Sequence, residues 1–413
     1  MKKRHQVLLV LAILSVITFL DRIAFSTAGE RITKELGLSP VQWGWILGSF
    51  TLAYALFEVP TGLLGDKIGA KSVLIRVVLW WSFFTVLTGF STGFVMLLGI
   101  RFLFGIGEAG AYPNIAIALA KWFPANERGQ AQAIIWGASR LGAGLTPLVV
   151  IPIQQRYGWE ASFYVLGFVG VIWVIFWYFW HKEDPTQAKD ISKSELDEIL
   201  AKRQLDNHAD KVPFRKFLKS KNLWFLMGMY ACYATGIYFF QTWLPKYLQQ
   251  GRGVSEDQLK YISSIAFLLA AFGCFMGGFI SDILVKKYGK KWGRRIVPMI
   301  GMGISGIFLI ISALTANNTV AIILLSLGMA FMDVTAPVAW AVSMDIGGKR
   351  SGSISGAMNS AGLLVAYLNT VSFGYLVTNF GYNFPVLLLG IIVIIGAFLW
   401  LKINAEETIE YRL

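Results

Sequence analysis

Charge is scarce in this chain. Of its 413 residues only 15% are Asp, Glu, Lys or Arg, whereas 55% are hydrophobic. Soluble domains carry about 25% charge, and a chain this apolar would aggregate in water, so the lipid bilayer is its expected solvent. Cysteine is scarcer still. Cys232 and Cys274 both fall inside apolar runs and lack zinc-type spacing, so they read as core thiols and a disulfide scaffold is excluded. The histidines His5, His181 and His208 are terminal or in loops, with no metal spacing. No G-x-x-x-x-G-K-[ST] phosphate loop occurs, which argues against ATP-driven work. Gly105, Gly107 and Gly110 satisfy G-x-G-x-x-G, but inside an apolar run, where glycines allow close helix packing. No nucleophile–base pair or metal cluster stands out, so no enzyme activity and no cofactor are expected. Acidic residues are outnumbered 24 to 37, for a net charge of +13. That excess lies in short loops beside apolar runs and not on a basic, aromatic-interleaved surface, which excludes nucleic acid as a partner.

What is present is a series of apolar runs. A helix crossing a bilayer needs about 20 largely apolar residues. Twelve runs qualify, near 7–27, 41–65, 72–90, 93–120, 129–154, 159–181, 223–248, 258–285, 296–315, 319–345, 352–378 and 382–402. The first follows Met1-Lys2-Lys3-Arg4 but is long for a secretory signal, and Asp21-Arg22 stands where a cleavage site would be. It is read as a retained first helix. The longest polar break, His181 to Lys221, contains an amphipathic stretch at 193–200. It divides the chain into an N-terminal six-helix bundle (1–181), a linker (182–221) and a C-terminal six-helix bundle (222–413). The expected fold is all-α, twelve transmembrane helices in two pseudo-symmetric bundles.

Lys and Arg set the orientation. One side receives Lys2, Lys3, Arg4, Lys67, Lys71, Lys121, Arg128, the linker, Lys286 to Arg295, Lys349 and Arg350. The other receives Arg31, Lys34, Arg156, Lys246, Arg252 and Lys260. The first side is expected to be cytoplasmic, with both termini, in a cell inner membrane. The halves repeat weakly. Gly62-Leu63-Leu64-Gly65-Asp66-Lys67-Ile68-Gly69-Ala70-Lys71 follows the second run, and Gly278-Phe279-Ile280-Ser281-Asp282 follows the eighth. Glu127-Arg128-Gly129 follows the fourth, and Lys349-Arg350-Ser351-Gly352 the tenth. Parallel six-helix repeats with a midplane site are one architecture of secondary transporters.

Charges inside the runs cost roughly 2.5–3.5 kcal/mol each on insertion scales, so they pair or face water. Arg101 and Glu108 are seven residues apart, close to two helical turns, so they share a face about 10 Å long. That face suits an anion-binding guanidinium with a proton-carrying carboxylate, or else an ion pair bracing two helices. Asp21 and Arg22 point about 100° apart. Asp21 is expected to turn to a neighbouring helix, towards Arg101, with Arg22 facing a cavity. Arg140 and Asp333 lie mid-run without local partners. They are expected to face a cavity, either paired across the halves or with Arg140 engaging a second substrate carboxylate; a buried structural pair is the alternative.

The string at 62–71 resembles the loop motif of the major facilitator superfamily. Arg101 to Asn114 with Trp122-Phe123-Pro124 and Glu127-Arg128-Gly129, Asp21-Arg22, and Trp243-Leu244-Pro245-Lys246-Tyr247-Leu248 resemble its anion:cation symporter family over essentially the whole chain. That family includes bacterial galactonate, glucarate and hexuronate importers. The resemblance implies proton-coupled uptake of an organic anion, a sugar acid or another carboxylate. It implies Asp21 and Glu108 as proton carriers, and Arg22 and Arg101 as anion-recognising groups. Tyr54, Trp340, Asn359 and Ser360 match substrate positions, with Tyr238 and Gln241 weaker candidates; helix packing is the alternative for each. Glu58, Asp66, Arg128 and Asp282 belong to the motif regions and read as gate residues, and Lys121 as a positive-inside residue. Thr18 and Phe19 stand where family members often carry Asn and Tyr, so a phenol that could bind substrate hydroxyls is missing. The expected cycle is alternating access by a monomer. Two competitors remain open. A phosphate or organophosphate exchanger is disfavoured because 223–248 contains no arginine. A non-transporting sensor with this fold is disfavoured by the intact carboxylates.

Overall fold

A computed structural model describes residues 1–124, 127–188, 190–202, 219–347 and 351–408, with the side chains of 351–353 excepted. Among these residues there is helix and no strand. This follows from the solvent, since hydrocarbon offers backbone groups no partner and a helix satisfies them internally. Named in chain order, the helices are α1 (Lys3–Thr27), α2 (Pro40–Ile68), α3 (Ala70–Thr88), α4 (Phe94–Trp122), α5 (Arg128–Tyr157) and α6 (Trp159–Trp180). The linker helix α7 (Lys193–Lys202) covers the amphipathic stretch. Then come α8 (Lys221–Thr242), α9 (Glu256–Leu314), α10 (Asn318–Gly347), α11 (Ser351–Phe380) and α12 (Asn383–Leu399).

Eleven of the described helices are long and apolar enough to cross a membrane. In the 59-residue α9, Gly289 adopts φ 76° and ψ 169°, so α9 makes two crossings and the twelve expected spans are accounted for. Two expected spans are interrupted. α4 breaks after Glu108 and resumes at Ala111; α10 breaks after Asp333 and resumes at Thr335. Proline explains both, because its ring displaces the carbonyl four residues back and supplies no N–H. Pro113 acts in this way on Ala109, and Pro337 on Asp333. The expected seventh span, 223–248, ends early at Thr242, before Pro245. A π-helical turn, Tyr247–Gly251, follows. Buried Arg252 closes it, donating to the Tyr247 hydroxyl at 2.8 Å and to the carbonyls of Thr315 and Ser312.

The chain divides into two compact units, Met1–Gly37 with Ser49–Asn207, and Leu38–Gly48 with His208–Leu413. In the first, α1 packs on α5 and α3 on α6; in the second, α8 packs on α11 and the second arm of α9 on α12. The repeat reaches individual residues. A Cβ on Gly62 would meet Pro113 at 3.3 Å, and one on Gly278 would meet Pro337 at 3.5 Å. Gly65 is tighter, since a Cβ there would overlap the Asn114 side-chain oxygen. The motif glycines therefore let α2 approach the proline turn of α4.

The Lys- and Arg-rich face of the first unit is tied together by carboxylates. Gly69 lies at φ 90°, and the Glu183 carboxylate accepts the next two N–H groups, from Ala70 at 3.0 Å and Lys71 at 2.8 Å. Lys121 adds an ion pair to Glu183 at 2.5 Å. The second unit repeats the device, with Gly289 at φ 76° and the Lys291 N–H donating to Glu406 at 3.2 Å. Such caps exploit the partial positive charge of a helix N-terminus. α7 is docked likewise, since Glu195 accepts the N–H groups of Lys3 and Arg4 at 3.0 and 2.9 Å. Buried Arg4 bridges Glu127 at 2.9 Å and Glu198 at 3.0 Å.

His181, just past α6, is stacked on Trp177 with ring centroids 3.7 Å apart. Burial and the nearby Lys71, Lys3 and Lys121 push its pKa down to about 3. A depressed histidine pKa means that the unfolded chain takes up the proton first, so stability is present above the unfolded pKa and is lost as pH falls. Between pH 7 and pH 5 the loss is about 2 kcal/mol. Thermal melting in detergent should fall over that window in the wild type and fall less in His181→Phe; equal slopes would remove His181 as the cause.

Candidate functional site

The first unit carries Asp21, Arg22, Arg101, Glu108 and Arg140 within its helices. Arg22 of α1 donates Nε and Nη2 to one oxygen of Glu108 in α4, at 2.9 and 2.6 Å. Glu108 is fully buried, at the proline-induced end of the first α4 segment, and its second oxygen has no hydrogen-bond partner. Arg101, two turns earlier, is 3% exposed. Among the described residues it makes no hydrogen bond or ion pair; instead phenyl rings surround it. Its Cζ lies 4.2 Å from the Phe25 ring, 4.3 Å from Phe104 and 5.1 Å from Phe50. Asp21 is 2% exposed, and neither of its oxygens has a hydrogen-bond partner. Arg101 and Glu108 are near enough to act on it electrostatically, and the Trp81 indole lies alongside.

The shared face of Arg101 and Glu108 is therefore realised, but the pairing differs from the expected one. The structure joins Arg22 to Glu108 and leaves Asp21 and Arg101 without a hydrogen bond between them. Rotation of α1 relative to α4 decides which of two adjacent residues reaches across. That rotation is set by packing, not by the residues' spacing along one helix.

Aromatic rings connect the guanidiniums. Arg22 Cζ lies 4.9 Å from the ring of Phe19, 5.1 Å from Tyr54 and 5.2 Å from Phe50. Phe50 is thus shared with Arg101, and Phe19 with Arg140, whose Cζ is 6.0 Å away. Arg140–Phe19–Arg22–Phe50–Arg101 forms a ladder of alternating cation and ring, in which each face contact is worth about 0.5–2 kcal/mol. Sequence reading missed Phe25, Phe50 and Phe104. Their available signal was an aromatic at helical spacing from a charge, which is indistinguishable from ordinary core.

In the second unit, fully buried Asp333 ends the first α10 segment, much as Glu108 ends that of α4, and accepts the Tyr233 hydroxyl at 2.8 Å. The Tyr230 and Tyr233 rings lie 5.3 Å apart, and Trp340 donates to the Tyr230 hydroxyl at 3.3 Å. Gly362 of α11 presses on the Tyr230 ring, one turn beyond half-buried Asn359 and Ser360. Gln241 is buried with its amide oxygen unmatched, and Tyr238 is half-buried.

The gate candidates divide. Arg128 donates to the carbonyls of Ala120 at 2.9 Å and Phe123 at 3.3 Å, closing the end of α4. Asp282 accepts Arg294 at 2.7 Å. Asp66 is exposed and makes no ion pair among the described residues. The Glu183 cap three residues further on supplies the brace there, with Lys121, read as a mere topological charge, as its partner. Glu58 is half-buried, and Lys349 and Arg350 lie outside the described residues.

Residues 11–368 match the model of the Major Facilitator Superfamily. The chain belongs to that superfamily. It is a multi-pass membrane transporter by family and not an enzyme. It is 34% identical over 99% of its length, and 96% of the relative's, to a Cupriavidus necator protein named "Probable sulfoacetate transporter SauU". It is 31% identical, over 88% of the chain and 86% of the relative, to the hexuronate transporter of Bacillus subtilis. Against the D-galactonate transporter of Escherichia coli the figures are 28%, 96% and 94%. Among solved structures, a bacterial homolog of the human lysosomal transporter Spinster aligns with TM-score 0.79 at 20% identity, covering 97% of this chain and 96% of that one.

Proposed function

We propose that this transporter imports a small organic anion together with protons, by alternating access, and that Arg22, Arg101, Asp21 and Glu108 carry the coupling. The observation that carries the reading is the Arg22–Glu108 pair at 2.6 Å beside an unpaired buried guanidinium and carboxylate. A carboxylate that occupies a guanidinium competes with an anionic substrate for it. Protonating Glu108 neutralises that competitor and frees Arg22 to hold the substrate; deprotonation restores the pair and expels it. Substrate and proton then favour each other's binding, which is the reciprocal linkage that coupling requires. Asp21, close enough to Arg101 and Glu108 to act on both electrostatically, is the second proton carrier. The relatives' substrates support an organic anion, whether sulfonate or sugar acid. Arg140, Tyr54, Trp340, Asn359 and Ser360 are assigned to the substrate, and Asp333, Tyr238 and Gln241 are left without an assigned role. The distribution of Lys and Arg supports an inner-membrane protein with both termini cytoplasmic, split at 182–221 into two bundles and working as a monomer.

The test is uptake by purified protein in liposomes under an imposed pH gradient, acid outside. Sulfoacetate, a hexuronate and galactonate are the probes. At least one should accumulate above its equilibrium level, and collapsing the gradient should abolish accumulation. Accumulation of none, or accumulation indifferent to the gradient, would refute proton-coupled import.

A further inference from the structure

Resting on the reading of the chain as an organic-anion importer, we propose that its site selects a short acid without hydroxyl groups over polyhydroxylated sugar acids, and that Phe19 sets this preference.

Four hydroxyls accompany Phe19 and Arg140, in sequence or in space. On α1, Ser15 donates to the Ile135 carbonyl at 2.9 Å and also bonds the Tyr112 hydroxyl at 2.9 Å. Thr18 turns back onto the Leu14 carbonyl at 2.9 Å. On α5, Ser139 does the same to Trp136 at 2.7 Å. Tyr112 of α4 lies next to Phe19, edge to face at 6.5 Å and 85°, yet its ring is stacked flat on Trp136 at 4.8 Å and 5°. Its hydroxyl is engaged by Ser15. These four hydroxyls are spent on protein partners.

Between Arg22 and Arg140 stands a ring with no polar atom. Phe19 is 2% exposed and presents phenyl to both cations. The guanidiniums therefore offer charge-assisted hydrogen bonds to an acid group, while the ring between Arg22 and Arg140 offers only aromatic carbon. A guanidinium is weakly hydrated and tolerates such walls, and a sulfonate or carboxylate on a short carbon stem satisfies it fully. A sugar acid carries hydroxyls into the same space. Each that stays unmet lowers affinity about 5- to 100-fold.

The experiment measures inhibition of sulfoacetate uptake in proteoliposomes by unlabelled sulfoacetate and by gluconate, together with the melting shift each acid produces in the purified protein. Gluconate should need roughly 100-fold more for half-inhibition and should shift melting less. Phe19→Tyr should narrow the ratio at least tenfold by supplying a phenol. Phe19→Leu, equally apolar, should leave gluconate as poor as before while weakening sulfoacetate. Comparable inhibition by both acids in the wild type overturns the proposal while leaving anion import intact. So does a ratio unmoved in a Phe19→Tyr protein that still transports. If neither acid is taken up nor shifts melting, the import reading itself fails, and this inference with it.

Discussion

Glu108→Gln should abolish the response to a pH gradient, with gradient-driven accumulation falling roughly 100-fold, near the upper end of typical coupling between two binding events. Exchange of external for internal substrate should persist. The substitution is nearly isosteric, and the amide oxygen can still accept from Arg22, so the α1–α4 contact survives. Without the carboxylate charge the guanidinium loses its Coulombic attraction to residue 108, so Arg22 is released more readily than in the wild type. What glutamine lacks is the second state. It cannot hold Arg22 tightly when deprotonated and loosely when protonated, so substrate binding is no longer linked to a proton. The two arms separate coupling from structure. A Glu108 that merely braced two helices would lower the melting temperature on substitution and leave the pH response of the surviving protein unchanged. Paired measurement of gradient-driven uptake and counterflow distinguishes these outcomes.

The twelve crossings were legible in the sequence because the bilayer imposes one demand on every segment, and length and apolarity answer it. The common face of Arg101 and Glu108 was legible for a similar reason, since seven residues are nearly two turns in any helix. The partner of each charge was not. Asp21 and Arg22 differ by one residue, and which of them meets α4 depends on a rotation of α1 fixed by many apolar contacts. The Glu183 cap was hidden differently. Its carboxylate serves two backbone N–H groups after Gly69, and backbone donors leave no mark on the residues that carry them. Its counterpart at Glu406 indicates where a signal existed, in an acidic residue a few positions after the last crossing of each half. Pro113 and Pro337 were visible as prolines, but only the structure reveals that each ends a half-helix near a buried carboxylate, Glu108 and Asp333.

Arg101→Met should separate function from stability in opposite directions. Uptake should fall at least 100-fold, while the melting temperature should hold or rise. Arg101 is a guanidinium at 3% exposure, enclosed by Phe25, Phe50 and Phe104, with no anion hydrogen-bonded to it among the described residues. A buried cation without a bonded partner is destabilising, and replacing buried charge with well-packed apolar groups is neutral or stabilising by about 1–4 kcal/mol. The cation–ring contacts offset part of that cost, about 0.5–2 kcal/mol each, and methionine regains part of what they supply through sulfur–aromatic contact. A protein retains such a cost where function requires it. In the proposed cycle that function is recognition of the substrate anion. Arg101→Lys is the companion test. It keeps the charge but loses the planar fork that binds an acid group through two hydrogen bonds, so it should also lose most uptake, without the gain in melting temperature. If Arg101→Met instead melted well below the wild type, the guanidinium would be a structural member of the phenyl cluster, and its assignment to the substrate would fall.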